Sequence, residues 1–377
     1  MAIAGLSAFW IEKRTALTNP KLVSRFNEVG INDWLRVGGK GASLGELAGA
    51  GIRVPQGCVV TTAAFEQFLA AIDPRGSIRR EIEKVAADDL VACTRVGAEV
   101  RARLEGLTLP EDLQKQIATH YDELHSRVGG AGNAEPVAIR SSATSEDSAY
   151  ASFAGLQDTY LWVRGVDSVI EHVRKCWASL YAVESIMYRR RLNLPEQGLA
   201  MGVVIQRMID SRCSGVMFSR SPNTGDCSVV VVEASWGLGS AIVSGEVTPD
   251  RYVVEKITRE IVSRTVSTKM RMHRPNRVGV GVIDEEVPVD QQNTACLGDD
   301  ELLELADIGK RVERHYGCPQ DIEWAIARDL PAIENTFLLQ SRPETVWAAK
   351  DATPVAAPKS KPFDHVFSLL SGGAGKK

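Results

Sequence analysis

Three short segments carry residue types that suit a phosphorylated ligand. In VAIRSSATSEDSAYASFAGLQDTY, residues 137–160, Arg140 follows an apolar run and precedes a loop of small residues that holds Gly155 and leads to Thr159. A guanidinium offers a bidentate fork to phosphate oxygens, and N–H groups of a loop of small residues can approach them closely. By itself, the segment is equally typical of a salt-bridged arginine beside an ordinary surface loop.

A lysine in a glycine-rich turn is the second feature. Lys40 stands between Gly39 and Gly41 in VGGKGASLGELAGAG, and the apolar spacing that follows predicts a helix closing at Gly51. Lys40 would then lie near a helix N-terminus, where backbone N–H groups favour phosphate. A lone GGKG is more often only a tight turn with a solvated lysine.

The third feature is a pair of segments, DIEWAI at 321–326 and FLLQSRPET at 337–345. Their apolar alternation predicts two adjacent strands that carry Glu323, Gln340 and Arg342. A carboxylate and a carboxamide oxygen are hard ligands that suit Mg²⁺, with phosphate oxygens completing the shell. Arg342 adds a second phosphate-binding cation. Taken alone, Glu323 would more often be a solvated strand residue.

Apolar periodicity predicts the elements that must position these residues. Residues 166–191 predict one long helix with an aromatic face for the core, and residues 300–316 predict another that ends at Gly317. After Met201 the sequence is rich in predicted strands, among which SVVVVEA is apolar enough to be central. Helices and strands therefore both contribute, in separate stretches.

Composition is typical of a globular enzyme domain. The chain has 377 residues, of which 44% are hydrophobic and 24% charged, and a net charge of −4 gives no sign of a nucleic-acid partner. The seven cysteines follow no CxxC pattern, which predicts a reducing cytoplasm rather than disulfides or a zinc site. No apolar stretch reaches the roughly 20 residues that a membrane helix needs, so no membrane contact is expected.

Together, the three segments resemble the N-terminal ATP-binding domain of phosphoenolpyruvate synthase, pyruvate phosphate dikinase and rifampicin phosphotransferase. VVIQRMIDSRCSGVMFS and VVEASWGLGSAIVSGEVTPDRY extend the resemblance, which runs from about residue 26 to 345. It implies an α+β fold, an elaborated ATP-grasp with the nucleotide in a cleft between subdomains. The expected parts are an N-terminal extension at 1–25, two ATP-grasp parts at 26–200 and 201–347, and a linker and tail at 348–377.

The resemblance also implies roles for individual residues. Lys40, Arg140 and Arg342 would act on the triphosphate of ATP, and Glu323 and Gln340 would hold Mg²⁺. The loop with Gly155 and Thr159 would close over the phosphates. The remaining nucleotide contacts would come from the adenine hinge and a ribose-binding carboxylate, namely Gln206, Met208, Ile209 and Glu233.

Two other function classes remain as alternatives. SVVVVEASWGLGSAIVSG approaches a dinucleotide-binding fingerprint, but Ile242 occupies the third glycine position and no βαβ alternation precedes the strand. The chain could also be a non-catalytic nucleotide-binding regulatory subunit. The presence of every expected cation and metal ligand, from Lys40 to Arg342, argues against that reading.

The resemblance further implies a phosphorylatable histidine in a Thr-x-His-Ala context. None of the six histidines, His120, His125, His172, His273, His315 and His365, has that context. We therefore expect the relay histidine on a separate swivel-domain subunit, with a further acceptor-binding subunit. This organisation is similar to that of the ATP-binding subunit of phenylphosphate synthase, which implies phenol as the final acceptor. An excised or stand-alone ATP domain of the same family is the alternative.

Overall fold

The computed structural model of the protein describes residues 20–126, 134–144, 147–148, 151–152, 158–332 and 334–351. Helices cluster in the first half of this part of the chain and strands in the second, and every strand pairing is antiparallel. Segregated helices and antiparallel sheets define the α+β class, so the predicted fold class is confirmed. No helix of the described residues is both long and apolar enough to cross a membrane.

The first sheet and its helices fill the N-terminal half. Its strands are β1 (Val23–Arg25), β2 (Gly57–Val60), β3 (Val137–Ala143), β6 (Thr159–Val163) and β7 (Met201–Arg207), in the order β1-β2-β7-β3-β6. Strands β4 (Asp147–Ser148) and β5 (Ala151–Ser152) form a separate hairpin. The helices are α1 (Trp34–Gly49), α2 (Thr62–Ile72), α3 (Ser77–Lys84), α4 (Leu90–Gly106), α5 (Glu111–Ser126), α6 (Val166–Ser179) and α7 (Val183–Arg191).

An aromatic cluster fills the core of this half, as the periodicity predicts. The ring of Trp177 meets Phe65 edge-on and stacks on Phe68, with centroids 5.7 and 5.4 Å apart. The single long helix predicted over 166–191 is wrong, because the helix breaks between α6 and α7. Tertiary contacts stabilise the break: the fully buried Arg189 donates to Leu180 O at 2.7 Å and pairs with Glu196 at 2.9 Å.

The second sheet has six strands in the order β11-β10-β9-β8-β14-β15. These are β8 (Ser211–Phe218), β9 (Val229–Trp236), β10 (Asp250–Glu255), β11 (Ile261–Thr265), β14 (Gln320–Ala327) and β15 (Thr336–Pro343). A hairpin of β12 (Arg271–Pro275) and β13 (Val282–Glu286) lies beside it, and the helices are α8 (Ser240–Val243), α9 (Asp299–Tyr316) and α10 (Val346–Asp351).

Helix α9 closes the core beneath this sheet. Leu302, Leu305 and Val312 are fully buried, and Gly317 ends the helix with a φ of +70°. Both observations confirm the helix predicted over 300–316. Apolar residues from helix and sheet thus form one core, against which Trp324 is also buried.

Two boundaries differ from the expected ones. Strand β7 belongs to the first sheet, so the chain passes between sheets at 208–210 and not at 200. The linker predicted from residue 348 begins instead inside α10, whose Trp347 donates its indole N–H to Pro222 O at 2.9 Å. Arg220 covers the same ring, so tertiary contacts hold this helix. The predicted tail beyond 351 lies outside the described residues.

Candidate functional site

A cleft of about 730 Å³ lies between the two sheets. Of the eleven residues that the sequence proposes for the site, Gly155 falls outside the described residues. The structure brings the other ten to the walls of this one cleft. They are Lys40, Arg140, Thr159, Gln206, Met208, Ile209, Glu233, Glu323, Gln340 and Arg342.

Strand register places four of the cleft residues in one row across the second sheet. Glu233 of β9 pairs with Val216 of β8, Val216 with Glu323 of β14, and Glu323 with Gln340 of β15. Residues directly opposite on antiparallel strands point to the same face, so these side chains share the cleft floor. The predicted metal ligands Glu323 and Gln340 are therefore direct cross-strand neighbours.

A second row of paired residues lies two positions further along β8, away from the hinge at 208–210. It contains Asp321, which was not predicted as a site residue. Asp321 of β14 pairs with Phe218 on one side and Arg342 on the other, and Arg342 Nε is 3.5 Å from Asp321 Oδ2. Burial raises the pKa of the Asp321 carboxyl, and the charge of Arg342 opposes that effect. The sequence signal for Asp321 was its spacing of two residues from Glu323, since alternate residues of a strand point to the same face.

Arg140 reaches the second sheet from β3 of the first. Its Nη1 lies 3.6 Å from Glu323 Oε2 and donates to Leu339 O at 3.4 Å. Leu339 is the unpaired residue of a β-bulge, which frees its carbonyl for this contact. Arg140 Nε is buried and has no hydrogen-bond partner among the described residues. The guanidinium therefore keeps donor capacity for an anionic ligand.

Thr159 stands opposite Arg140 in the first sheet, on the edge strand β6. The predicted phosphate-covering loop leads into this strand, but 153–157 lie outside the described residues. The structure therefore places the end of that loop beside Arg140, and the role of Gly155 stays a prediction.

A glycine break positions Lys40. Helix α1 is interrupted at Gly38, whose φ of +72° and ψ of 172° suit only glycine, so Lys40 lies in the first turn of the second helical part. Ser142 of β3 fastens the break: its hydroxyl donates to Val37 O at 2.8 Å and accepts from Gly41 N at 3.0 Å. Lys40 Nζ donates to Ser141 O at 3.1 Å, which directs the ammonium along β3.

We expect Gly38→Ala to lower the free energy of unfolding by about 3 kcal/mol, because a Cβ would need this glycine-only conformation and lie 1.9 Å from Ser142 O. Urea denaturation monitored by circular dichroism measures the loss. Gly49→Ala is the matched control in the same helix, where a Cβ meets nothing within 4 Å. It should be neutral or stabilising by up to about 1 kcal/mol. Equal stability of both variants would contradict the proposed constraint.

Two backbone N–H groups at the hinge between the sheets already donate hydrogen bonds to carbonyl groups of the protein. Arg207 N donates to Gln56 O at 2.8 Å and Met208 N to Pro136 O at 2.9 Å. Within the described residues, the Ile209 N–H makes no hydrogen bond to protein. The predicted adenine contact around Met208 would thus have to use carbonyls or the Ile209 amide. Gln206 Nε2 is buried and has no hydrogen-bond partner in the part of the chain that the structure describes, which also indicates a polar ligand here.

Glu233 suits a ligand hydroxyl. Burial raises the pKa of its carboxyl, while Arg251, directly opposite on β10, lowers it. Glu233 lies in the row of Glu323, on the side of the sheet away from Gln340. The carboxylate of Glu233 therefore lies to one side of the cationic residues of the cleft rather than between them.

The oxygen donors in the cleft suit the predicted magnesium ion. Within the part of the chain that the structure describes, no three His, Cys, Asp or Glu side chains gather at one metal-sized site. Glu323 and Gln340 supply two oxygen donors, which fits a Mg²⁺ ion whose other ligands are phosphates and water. The donor set fits magnesium and does not fit a structural zinc site.

The dinucleotide alternative is wrong. The strand before Gly237-Leu238-Gly239 is β9, which pairs antiparallel with β8 and β10, and the helix that follows is the single turn α8. A dinucleotide fingerprint requires a parallel βαβ unit with a full crossover helix.

Comparison with known proteins supports a nucleotide-binding role for the cleft. Residues 35–362 match the family described as the AMP/ATP-binding domain of pyruvate phosphate dikinase. A probable phosphoenolpyruvate synthase of Methanothermobacter thermautotrophicus is 42% identical over 325 residues, which cover 86% of this chain and 46% of that protein. The phosphoenolpyruvate synthase of Aquifex aeolicus is 39% identical over 357 residues, covering 90% of this chain and 41% of that protein.

The phosphoenolpyruvate synthase of Aeropyrum pernix is 38% identical over 348 residues, covering 85% of this chain and 42% of that protein. The chain thus spans less than half the length of these relatives. Its α+β architecture, with a cleft between two antiparallel sheets, is that of an ATP-grasp-like domain. The protein therefore belongs to the family of the pyruvate phosphate dikinase AMP/ATP-binding domain.

Proposed function

We propose that the chain binds Mg²⁺ and ATP in this cleft and supplies the nucleotide half of a dikinase-type phosphotransferase. The β-phosphoryl group of ATP would pass to a histidine and the γ-phosphoryl group to water, with AMP and phosphate as products. The observation that carries the proposal is the convergence of Lys40, Arg140 and Arg342 with the oxygen donors Glu323 and Gln340 on one end of the cleft.

The ligand's orientation follows from the register. The hinge at 208–210 opens into the start of β8, and the rows of Glu323 and Asp321 lie progressively further along that strand. Adenine would lie at the hinge, ribose by Glu233, and the phosphates towards Arg342. The cation cluster would meet the triphosphate, and the apolar side chains of Met208 and Ile209, which line the cleft at the hinge, would meet the adenine.

The chain's residues act by positioning and charge. In-line phosphoryl transfer requires little covalent help from protein, so the cations would hold the triphosphate and neutralise its developing charge. Bound magnesium would add further neutralisation, held by Glu323 and Gln340. The loop that ends at Thr159 would keep water away from the β-phosphoryl group, because hydrolysis of that group before its transfer to histidine would waste it.

The acceptor histidine is proposed to lie outside the given sequence, on a swivel domain or subunit, with acceptor binding on a further partner. No histidine among the described residues lines the cleft. The similar phosphoenolpyruvate synthases are more than twice as long as the matched region. We also keep a cytoplasmic location, without nucleic-acid or membrane partners, as a prediction.

Two final acceptors are proposed for test. The names of the relatives favour pyruvate, and phenol is the second candidate, since it is the acceptor that the resemblance to the ATP-binding subunit of phenylphosphate synthase implies. The cleft residues carry no information on this choice, because the acceptor would meet the phosphohistidine and not ATP. A nucleotide-binding regulatory subunit without turnover is the remaining alternative.

Calorimetry with the full chain should show Mg²⁺-dependent binding of ATP and no binding of NAD. With a histidine-bearing swivel protein added, ³¹P NMR should show AMP and phosphate, and pyruvate or phenol should then discharge the phosphohistidine. Tight NAD binding without ATP binding would overturn the proposal. ATP binding without AMP formation, with an active swivel protein, would favour the regulatory alternative.

A further inference from the structure

A second polar arrangement adjoins the cleft. Ser240, which lines the cleft, has its Oγ 2.8 Å from His273 Nδ1, and Glu246 Oε2 lies 3.1 Å from His273 Nε2. The imidazole is 12% exposed, whereas the Glu246 side chain is 55% exposed. One histidine thus connects a cleft-lining hydroxyl to a carboxylate at the surface.

The backbone holds these groups in place. Gly237 has a φ of +73°, and a Cβ there would lie 2.3 Å from His273 O. Leu238 N donates to the same carbonyl at 2.9 Å. The loop of Ser240 is therefore fastened to β12 by a backbone hydrogen bond as well as by the histidine side chain, so its geometry is set before any ligand binds.

Hydrogen-bonding capacity determines which way the protons point. A carboxylate only accepts, so the Glu246 contact requires a proton on His273 Nε2. In the neutral ring Nδ1 is then an acceptor, and the Ser240 hydroxyl must donate to it. The lone pairs of Ser240 Oγ remain for a donor in the cleft. Hydrogen bonding from Ser244, together with His273, lowers the pKa of the Glu246 carboxyl, which favours the ionised form.

The loop lies at the nucleoside end of the cleft. A Cβ on Gly239 would lie 3.5 Å from Ser214 Oγ, and Ser214 of β8 pairs with Ser235 and Ala325. That row is one step closer to the hinge than the row of Glu233. Ser235 Oγ is buried without a partner among the described residues. The triphosphate end, at Arg342, lies in the opposite direction.

We infer that Ser240 is a specificity-determining residue that accepts a hydrogen bond from a ribose hydroxyl of the nucleotide, with His273 and Glu246 as the positioning residues that orient it. The inference deepens the proposed function, on which it rests. Ser240 and Glu233 together would select a ribonucleotide over a deoxynucleotide, because a missing sugar hydroxyl leaves an oriented acceptor unpaired.

The test measures Kd by calorimetry for ATP, 2′-deoxy-ATP and 3′-deoxy-ATP, each with Mg²⁺ and the full chain. The wild type should prefer ATP over at least one deoxy analogue, and Ser240→Ala should reduce that preference by roughly three- to tenfold, as loss of one neutral hydrogen bond predicts. Binding of the deoxy analogue itself should change little.

Two variants of His273 distinguish a role in orienting the Ser240 hydroxyl from a role in packing alone. His273→Asn can place its amide oxygen where Nδ1 lies and keep the Ser240 contact, so it should retain the preference within about twofold. His273→Gln can reach Glu246 but not Ser240, so it should lose the preference as Ser240→Ala does. His315→Gln is the control, because His315 makes a similar contact to Glu46, at 2.7 Å, and lines no part of the cleft.

The outcomes are distinct. Absence of ATP binding to the wild type would overturn the proposed function and this inference together. ATP binding with an unchanged ATP to deoxy-ATP ratio in Ser240→Ala would overturn the inference alone. A loss of selectivity for ATP over GTP, with the sugar preference intact, would assign Ser240 to the base and equally overturn it.

Discussion

Arg140→Ala should weaken binding of ATP with Mg²⁺ by roughly 30- to 700-fold, because a lost charge-assisted contact to phosphate costs about 2–4 kcal/mol in a closed site. The side chain of Arg140 is only 12% exposed, so solvent screens this charge weakly. Its Nε, which has no hydrogen-bond partner among the described residues, and its position between the two sheets favour binding of anionic oxygens. Calorimetry measures the increase in Kd for ATP, and the rate of AMP formation with an added swivel protein measures the loss of turnover.

Arg274→Ala is a matched control. Arg274 also lies 3.6 Å from a glutamate, Glu285, but on the hairpin outside the cleft lining. It should bind ATP as the wild type does. Wild-type affinity and turnover in Arg140→Ala, with the fold intact by circular dichroism, would make Arg140 a structural residue that pairs with Glu323.

Glu323→Gln should raise the Mg²⁺ concentration for half-maximal ATP binding by at least roughly tenfold, because a hard cation loses its anionic ligand. The side chain keeps its shape, so the fold should be retained. Gln340→Ala should act in the same direction but more weakly, since a neutral carboxamide contributes less charge. Titration of Mg²⁺ at fixed ATP measures both shifts.

The control for this series is Glu285→Gln, which neutralises a glutamate with a comparable arginine contact away from the cleft. Its Mg²⁺ titration should match that of the wild type. An unchanged titration for Glu323→Gln would place Glu323 outside the metal site and leave its contact with Arg140 as its role.

Local features of this protein can be predicted from its amino-acid sequence. Glycines around Lys40 predicted a turn into a helix, and the structure adds the reason, since Gly38 adopts a conformation that only glycine tolerates. Alternation predicted the strands that carry Glu323 and Gln340, and their pairing confirms that they are neighbours. Periodicity and turn chemistry act over a few residues, so one sequence suffices to read them.

Contacts between distant segments depend on the tertiary structure. The helix that periodicity predicts over 166–191 is interrupted after Ser179, where the buried Arg189 binds Leu180 O. The contact of Asp321 with Arg342 depends on the pairing of β14 with β15, and the contact of Ser240 with His273 joins residues 33 positions apart. Such contacts have no local sequence signal, because the energy that sets them comes from packing and burial across the whole domain.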